Sequence, residues 1–239
     1  LIGSWLQTTF DWQGSFYGFA AMALGMLIHA FCILPSKSAS PHRAPVSIIA
    51  TLKAVAGNRD FLRYWWIAAQ VFACYFALIS VTPLIFMDAL KLSEYQYALV
   101  LMVYGTAYLL GGVAASYLQK RIALSRQINI GLGLLLVAGV LLALIIIFDA
   151  ITTVTLLIPM LISALAVTLV RPAAISAAML LFSSSAGTAA SAGNSIMFFT
   201  AAVSSAALAQ TGSHLLMTIA VSFIIFSLWG WLTNARVGH

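Results

Sequence analysis

Apolar residues run along this chain in long stretches that short polar gaps separate. A helix needs about 20 apolar residues to cross the hydrocarbon core of a bilayer. Seven stretches are long enough, at about 15–34, 62–87, 96–118, 128–148, 152–170, 188–209 and 214–233. The pattern predicts an all-α fold, a polytopic transmembrane helix bundle.

Two of these boundaries depend on a few residues. Arg171 and Pro172 predict the end of the fifth stretch, since a proline ends a helix and a basic residue favours the membrane surface. The serines at 183–185 and Gly187 predict a short separate segment from about 176 before the sixth helix. The run 46–53 is amphipathic, which is typical both of a helix lying along a membrane and of an ordinary linker helix.

The composition favours lipid as the solvent. Apolar residues make up 63% of the chain and charged residues 7%, against roughly 25% charged residues in a soluble domain. The formal net charge is +6, but the basic residues lie in short gaps, so membrane topology explains them and no nucleic-acid partner is expected. Cys32 and Cys74 lie in apolar stretches, and no spacing predicts a metal site, a disulfide or a cofactor.

The charges divide between alternate gaps. On one side Asp60 is the only acid; on the other side Lys91 is the only basic residue and the acids are Asp11, Asp88, Glu94 and Asp149. Short loops rich in Lys and Arg stay in the cytoplasm, which predicts an external N-terminus and a cytoplasmic C-terminus. The basic residues on the predicted cytoplasmic side are Lys37, Arg43, Lys53, Arg59, Arg63, Lys120, Arg121, Arg126, Arg171 and Arg236.

The longest polar gap, 35–60, divides the chain unevenly. One full stretch and the apolar tail of another precede it, and six stretches follow. Six helices after a long basic loop are the layout of one half of a twelve-helix secondary transporter, whose halves are parallel repeats. We expect 1–34 to be the end of helix five and helix six of an N-terminal half, 35–60 a central cytoplasmic loop, and 61–239 a C-terminal six-helix transmembrane domain. The rest of the N-terminal half is then missing from this chain.

Several motifs are similar to those of one transporter family. They are Ser-Val-Thr-Pro-Leu-Ile-Phe at 80–86, Leu-Ser-Glu-Tyr-Gln-Tyr at 92–97, the glycine-bounded segment 105–112, Ala-Gly-Thr-Ala-Ala-Ser at 186–191 and Arg-Asp-Phe-Leu at 59–62. The set resembles the bicyclomycin/chloramphenicol-type (Bcr/CflA-like) drug:proton antiporters of the major facilitator superfamily. Segments 1–4 and 11–16 are similar to that family's helix-five motif and helix-six entry, although Ser4 and Gln13 replace a usual Gly and Arg.

The resemblance implies exchange of small drug molecules for protons across a bacterial inner membrane. It also implies that the proton-carrying acid lies in the N-terminal half. The loop after Gly112 departs from the family pattern, because it keeps Lys120, Arg121 and Arg126 but has no acid. No gating ion pair is therefore predicted in that loop.

Polar and aromatic side chains within the apolar stretches are candidates for a substrate cavity. The amides Gln70 and Asn194 are candidates because an amide in lipid needs partners. The rings of Tyr75, Tyr104 and Phe198 could bind flat apolar or cationic molecules. Each of these five side chains could instead serve helix packing.

One titratable group, His29, lies clearly inside an apolar stretch. An ionisable group in the membrane is a candidate for coupling or gating, and helix packing is the alternative for this histidine. The sequence places no Arg or Lys inside a stretch, which argues against a strongly anionic substrate.

Together these features predict proton-coupled export of drugs or other small apolar or cationic molecules by alternating access. A facilitator-type carrier of a small metabolite and a polytopic membrane protein without transport remain as alternatives. Gly193-Asn194-Ser195 matches the Gly-x-Ser of an intramembrane serine protease, but no histidine lies at a matching depth. An enzyme is therefore not expected.

Overall fold

Seven helices long and apolar enough to span a membrane occur in residues 2–33 and 47–235, the part of the chain that the computed structural model describes. These residues contain helices and connecting turns and no strand, as the apolar pattern predicted. They fall into two compact units, Leu1–Pro45 and Val46–His239. The predicted cytoplasmic residues Lys37, Arg43 and Arg236 lie outside the described residues.

The first unit is one helical segment, α1 (Ile2–Ile33), with a break in the backbone. Phe10 and Asp11 leave helical geometry, and Asp11 has a φ of 59°. The break separates the predicted tail of one helix from the next full span. The apolar part of that span is Phe16–Ile33.

The second unit begins with a short amphipathic helix, α2 (Ile48–Gly57), whose first turn is capped by Ser47. Thr51 and Val55 are buried, while Ile48 and Ile49 are exposed. The helix packs on two membrane-spanning helices of the same unit. Part of the segment 35–60 that the sequence predicts as a loop is therefore helical.

Six longer helices follow, each of which corresponds to a predicted span. Asn58 caps the first, while Ser93 and Thr152 form capping boxes at two others. The helices are α3 (Arg59–Pro83), which continues as a π-helical segment Leu84–Ala89, α4 (Glu94–Leu118), α5 (Leu124–Ile147), α6 (Thr153–Leu180), α7 (Ala186–Ala209) and α8 (Leu215–Ala235).

α3 and α6 occupy the centre of the bundle. α6 packs against α3, α4 and α5, and α3 also packs against α7 and α8. Two close approaches show how small residues permit this packing. A Cβ atom at Gly111 would overlap the side chain of Thr168, and a Cβ atom at Gly193 would overlap the indole ring of Trp65.

α6 is longer than the sequence predicts. The predicted end at Arg171 and Pro172 is wrong, because the helix continues through both residues to Leu180. Pro172 cannot donate to the Thr168 carbonyl one turn earlier, but membrane helices tolerate such prolines when their neighbours pack against them. The residues after Pro172 are buried on one face: Ala173, Ala174, Ala177 and Ala178. The short segment predicted from 176 is thus the last part of α6.

The charges lie at opposite ends of the six-helix bundle. Consecutive helices alternate in direction, so the start of α3, the α4–α5 and α6–α7 connections and the end of α8 share one end. Of the described residues, this basic end carries Arg59, Arg63, Lys120, Arg121 and Arg126, with Asp60 bonded to Arg63 at 3.0 Å. The opposite end carries Asp88, Lys91, Glu94 and Asp149.

Candidate functional site

Aromatic side chains from three helices meet in one cluster, which we call the aromatic face. Tyr75 of α3 lies parallel to Tyr104 of α4 at 5.9 Å between ring centroids, and 5.5 Å from Tyr108. Phe72 lies 6.4 Å from Tyr75 and meets Phe198 of α7 edge-on at 5.5 Å. The members of the aromatic face are Phe72, Tyr75, Phe76, Tyr104, Tyr108 and Phe198.

A fourth helix adds a positive charge to this cluster. The guanidinium of Arg171 in α6 lies over the ring of Phe72, 4.9 Å from its centroid. Arg171 is nine residues from the end of α6, which is about 13 Å of helix rise. Leu169, two residues earlier, accepts a hydrogen bond at 3.0 Å from Gln127 in the first turn of α5, so this part of α6 lies towards the basic end of the bundle.

A groove of about 400 Å³ opens beside Arg171 between α4 and α6. Drug-sized ligands occupy pockets of roughly 300–1,000 Å³, so a small aromatic molecule fits this volume. Its wall combines one tyrosine ring, a charge and small side chains. The lining residues are Tyr108, Gly112, Val167, Thr168, Arg171, Pro172, Ile175 and Ser176.

The outward surfaces of α5 and α8 have a different character. Their exposed large side chains include Val137, Val140 and Leu144 on α5 and Ile225 and Leu228 on α8. Such aliphatic side chains suit contact with lipid tails. The polar and aromatic groups of the site instead come from α3, α4, α6 and α7.

Comparison with known proteins identifies the family. Residues 1–206 match the Major Facilitator Superfamily. The chain belongs to this superfamily. Its members are transporters and not enzymes, which agrees with the absence of a predicted catalytic set.

A curated relative is the chloramphenicol resistance protein CraA of Acinetobacter baumannii. It is 26% identical to this chain over 151 residues, which are 63% of this chain and 37% of the relative. The matched region thus spans little more than a third of that superfamily protein. This similarity agrees with the resemblance to drug antiporters that the sequence motifs carry.

Three of the predicted cavity residues meet in this superfamily member. Tyr75 and Tyr104 stack directly, and Phe198 joins them through Phe72. Tyr104 is buried, and its hydroxyl, which lies near Ser163, has no well-formed hydrogen bond within the described residues. A buried phenol without a partner is free to bond a polar group that enters the site.

The two predicted amides lie apart from each other. Asn194 is exposed one turn before Phe198, on the side of α7 near the aromatic face. Gln70 is buried, and at about 100° per residue it points roughly 140–160° away from Tyr75 and Phe72 on α3. Its Oε1 atom has no hydrogen-bond partner in the described chain. A role for either amide in transport remains a prediction.

The charged candidates lie outside the aromatic face. His29 is exposed just before the last turn of α1, in the first unit. Lys120 and Arg121 lie in the α4–α5 connection, where Arg121 stacks on Tyr117 at 4.4 Å, and Arg126 lies in the first turn of α5. In residues 2–33 and 47–235 no group of three His, Cys, Asp or Glu side chains could hold a metal ion.

Sequence reasoning missed Arg171 and Phe72 as site residues. Arg171 was placed at a membrane surface because Pro172 follows it. The largely apolar run from Ala173 to Leu181, too long for a connecting loop, is the signal that could have placed it within the helix. Phe72 is one of several aromatics in its span, and its central position depends on how α3 and α6 are rotated, which periodicity alone does not fix.

Proposed function

We propose that this chain forms one wall of the substrate pathway of an exporter that exchanges small aromatic, apolar or cationic molecules for protons. The aromatic face is the observation that carries the proposal. Stacked rings bind flat apolar molecules and cations through their faces. The similarity to a protein named for chloramphenicol resistance supports this substrate class.

The mechanism we propose is alternating access. In secondary transporters the substrate site lies near the bilayer midplane at the interface of two repeats, which rock against each other. The aromatic face draws on three helices of one repeat and lies along their middle parts, as such a site requires. An N-terminal half outside this chain would supply the opposite wall and the proton-carrying acid.

The proposed location is a bacterial inner membrane with a cytoplasmic C-terminus. The basic end of the bundle supports this orientation, because loops rich in Lys and Arg are retained in the cytoplasm. The start of α3 and the end of α8 both lie at this basic end.

The test is accumulation of ethidium, a flat aromatic cation, in cells that express the complete transporter containing this chain. Export against a gradient lowers accumulation, and dissipating the proton gradient with an uncoupler restores it. A facilitator would only equilibrate ethidium with the membrane potential, so it would raise accumulation of this cation in energised cells, and the uncoupler would lower it. The proposal would be contradicted if cells with the transporter accumulated ethidium, and each of a panel of neutral aromatic antibiotics, to the same level as control cells.

A pair of tyrosine variants tests the role of the aromatic face. Tyr75→Leu removes the ring that contacts Phe72, Tyr104 and Tyr108. We expect a roughly 5- to 30-fold loss of ethidium affinity, the equivalent of about 1–2 kcal/mol of stacking and cation–π contact. Tyr95→Leu is the control, because Tyr95 is exposed in the first turn of α4.

Gln70→Leu and Asn194→Leu are expected to lower transport while membrane insertion stays intact.

A further inference from the structure

We infer that Arg171 binds a carboxylate and that the groove beside it binds a flat apolar group. The carboxylate belongs either to the same molecule as the apolar group or to an acidic side chain of the transporter. The inference rests on the proposed function and narrows its substrate class. It starts from the position of the charge. Arg171 is partly buried within α6, about 13 Å of helix rise from the helix end.

A partly buried cation is stabilised by an anionic partner. Charged side chains within membrane helices are rare and pair with one another or line an aqueous pathway. Arg171 makes no ion pair or hydrogen bond with any residue of the described segments; its contact is the stack on Phe72. A ring face compensates only part of the lost hydration of a guanidinium.

The acids of this unit cannot supply the partner. Asp60 is bonded to Arg63 at the basic end. Asp88, Glu94 and Asp149 lie at the opposite end of the bundle, and Arg171 is 18 residues along α6 from Thr153, the helix start at that end. This separation is about 27 Å of helix rise, which exceeds the reach of an arginine side chain.

The guanidinium of Arg171 lies over the ring of Phe72, with 4.9 Å between its Cζ atom and the ring centroid. A guanidinium carries a planar fork of N–H donors, with which arginine binds a carboxylate through two parallel hydrogen bonds. Thr168 does not compete for the site, because its hydroxyl donates within its own helix, to Ala164 at 3.0 Å and Leu165 at 2.9 Å.

The groove provides the space for the attached group. Arg171 lies in its wall together with Tyr108, Pro172 and Ile175. These side chains offer one aromatic face and two aliphatic surfaces around a volume of about 400 Å³. An aromatic acid, with its carboxylate on Arg171 and its ring against Tyr108, matches both the charge and the surfaces.

The carboxylate can come from two sources: the transported molecule, or an Asp or Glu of the transporter outside this chain. The probes are 2-naphthoate and its neutral analogue 2-naphthamide, which share a bicyclic ring and differ in charge. Their binding is measured on the purified complete transporter and on its Arg171→Gln and Arg171→Lys variants. Arg121→Gln is the matched control, since Arg121 also stacks on a tyrosine but lies in a connection.

If the substrate supplies the carboxylate, Arg171→Gln weakens 2-naphthoate binding by about 10- to 100-fold, the range for a hydrogen bond to a charged group, and leaves 2-naphthamide binding unchanged. Arg171→Lys has an intermediate effect, because it keeps the charge but loses the two-pronged contact. The lysine variant also serves as the test if the glutamine variant does not fold. Arg121→Gln changes neither affinity.

If the transporter supplies the carboxylate, both probes respond equally to Arg171→Gln, and the infrared difference spectrum gains a protonated carboxyl band as the unpaired acid takes up a proton. The inference is overturned if Arg171→Gln changes the binding of neither probe and no carboxyl band appears. It is also overturned if Arg121→Gln weakens binding as much as Arg171→Gln does. Failure of the proposed function is a separate result, namely no uncoupler-sensitive export of ethidium by the unaltered transporter.

Discussion

The contact of Gly193 with Trp65 provides a direct test of how α7 packs against α3. A Cβ atom at Gly193 would overlap three atoms of the indole ring. Trp65 has 1% of its surface exposed and packs against Phe61 at 6.1 Å between centroids. The indole therefore has no free space into which it could move, and Gly193→Ala must displace α7 from α3.

The size of this effect follows from a comparison with a second glycine. Gly105 lies within α4 with nothing within 4 Å of an added Cβ atom. Alanine favours a helix over glycine by about 0.5–1 kcal/mol at both positions, so this contribution cancels when the two variants are compared. The remaining difference is the overlap at Trp65, about 1–3 kcal/mol for overpacking of a core. At about 2–4 °C per kcal/mol, Gly193→Ala should unfold about 2–12 °C below Gly105→Ala.

Thermal unfolding of the complete transporter without the exposed Cys32, in detergent and followed with a thiol-reactive dye, measures this difference. Cys74 is 3% exposed, so it reacts only after the bundle opens. The reasoning is refuted if Gly193→Ala unfolds at or above the temperature of Gly105→Ala, since the indole ring would then leave room for a methyl group.

Two further variants test hydrogen bonds between helices. The Thr82 hydroxyl donates to the carbonyl of Ile79, so in its 2.8 Å contact with Tyr97 the tyrosine hydroxyl is the donor. Tyr97→Phe should lower the free energy of unfolding by about 0.5–1.5 kcal/mol. An unchanged unfolding temperature would show that the bond contributes nothing. The Asn234 amide donates to Asn129 at 2.8 Å and to the Ser125 carbonyl at 3.0 Å. Asn234→Leu should lower stability by about 1 kcal/mol, given roughly 0.6 kcal/mol for each such bond in a membrane, and a more stable variant would contradict this assignment.

The helices themselves could be predicted because lipid restricts the possibilities. A chain in a bilayer must satisfy its backbone hydrogen bonds within each span, so apolar length alone locates α4, α5 and α8 to within a few residues. The distribution of charge then gives the two ends of the bundle. The resemblance of the loops to drug antiporters led to the superfamily that residues 1–206 match.

The site was harder to predict, because it depends on helix rotation and on one proline. Tyr75, Tyr104 and Phe198 were expected on general grounds of aromatic binding, but the ring that joins them, Phe72, is identified only when α3 and α6 are in place. Gln70 shows the converse. Its amide is unusual for a membrane span, yet it points away from the aromatic face.

Arg171 shows where a local rule fails. Proline ends most helices in water because it leaves a carbonyl without its donor. In α6 the flanking alanines are buried against neighbouring helices, and this packing keeps the helix intact through Pro172. Arg171 therefore lies within α6, nine residues before its end, and not at the end of a helix.

The central claim is that the surface around Arg171 faces an aqueous substrate pathway while α5 faces lipid. Single cysteines at Ser176 in the groove and at Val140 on α5, in the complete transporter without Cys32 and Cys74, test it by their reaction with a charged, membrane-impermeant thiol reagent. We predict that the cysteine at position 176 reacts and that bound ethidium slows the reaction, while the cysteine at position 140 does not react. Equal protection of both positions, or reaction at position 140 alone, would contradict the claim.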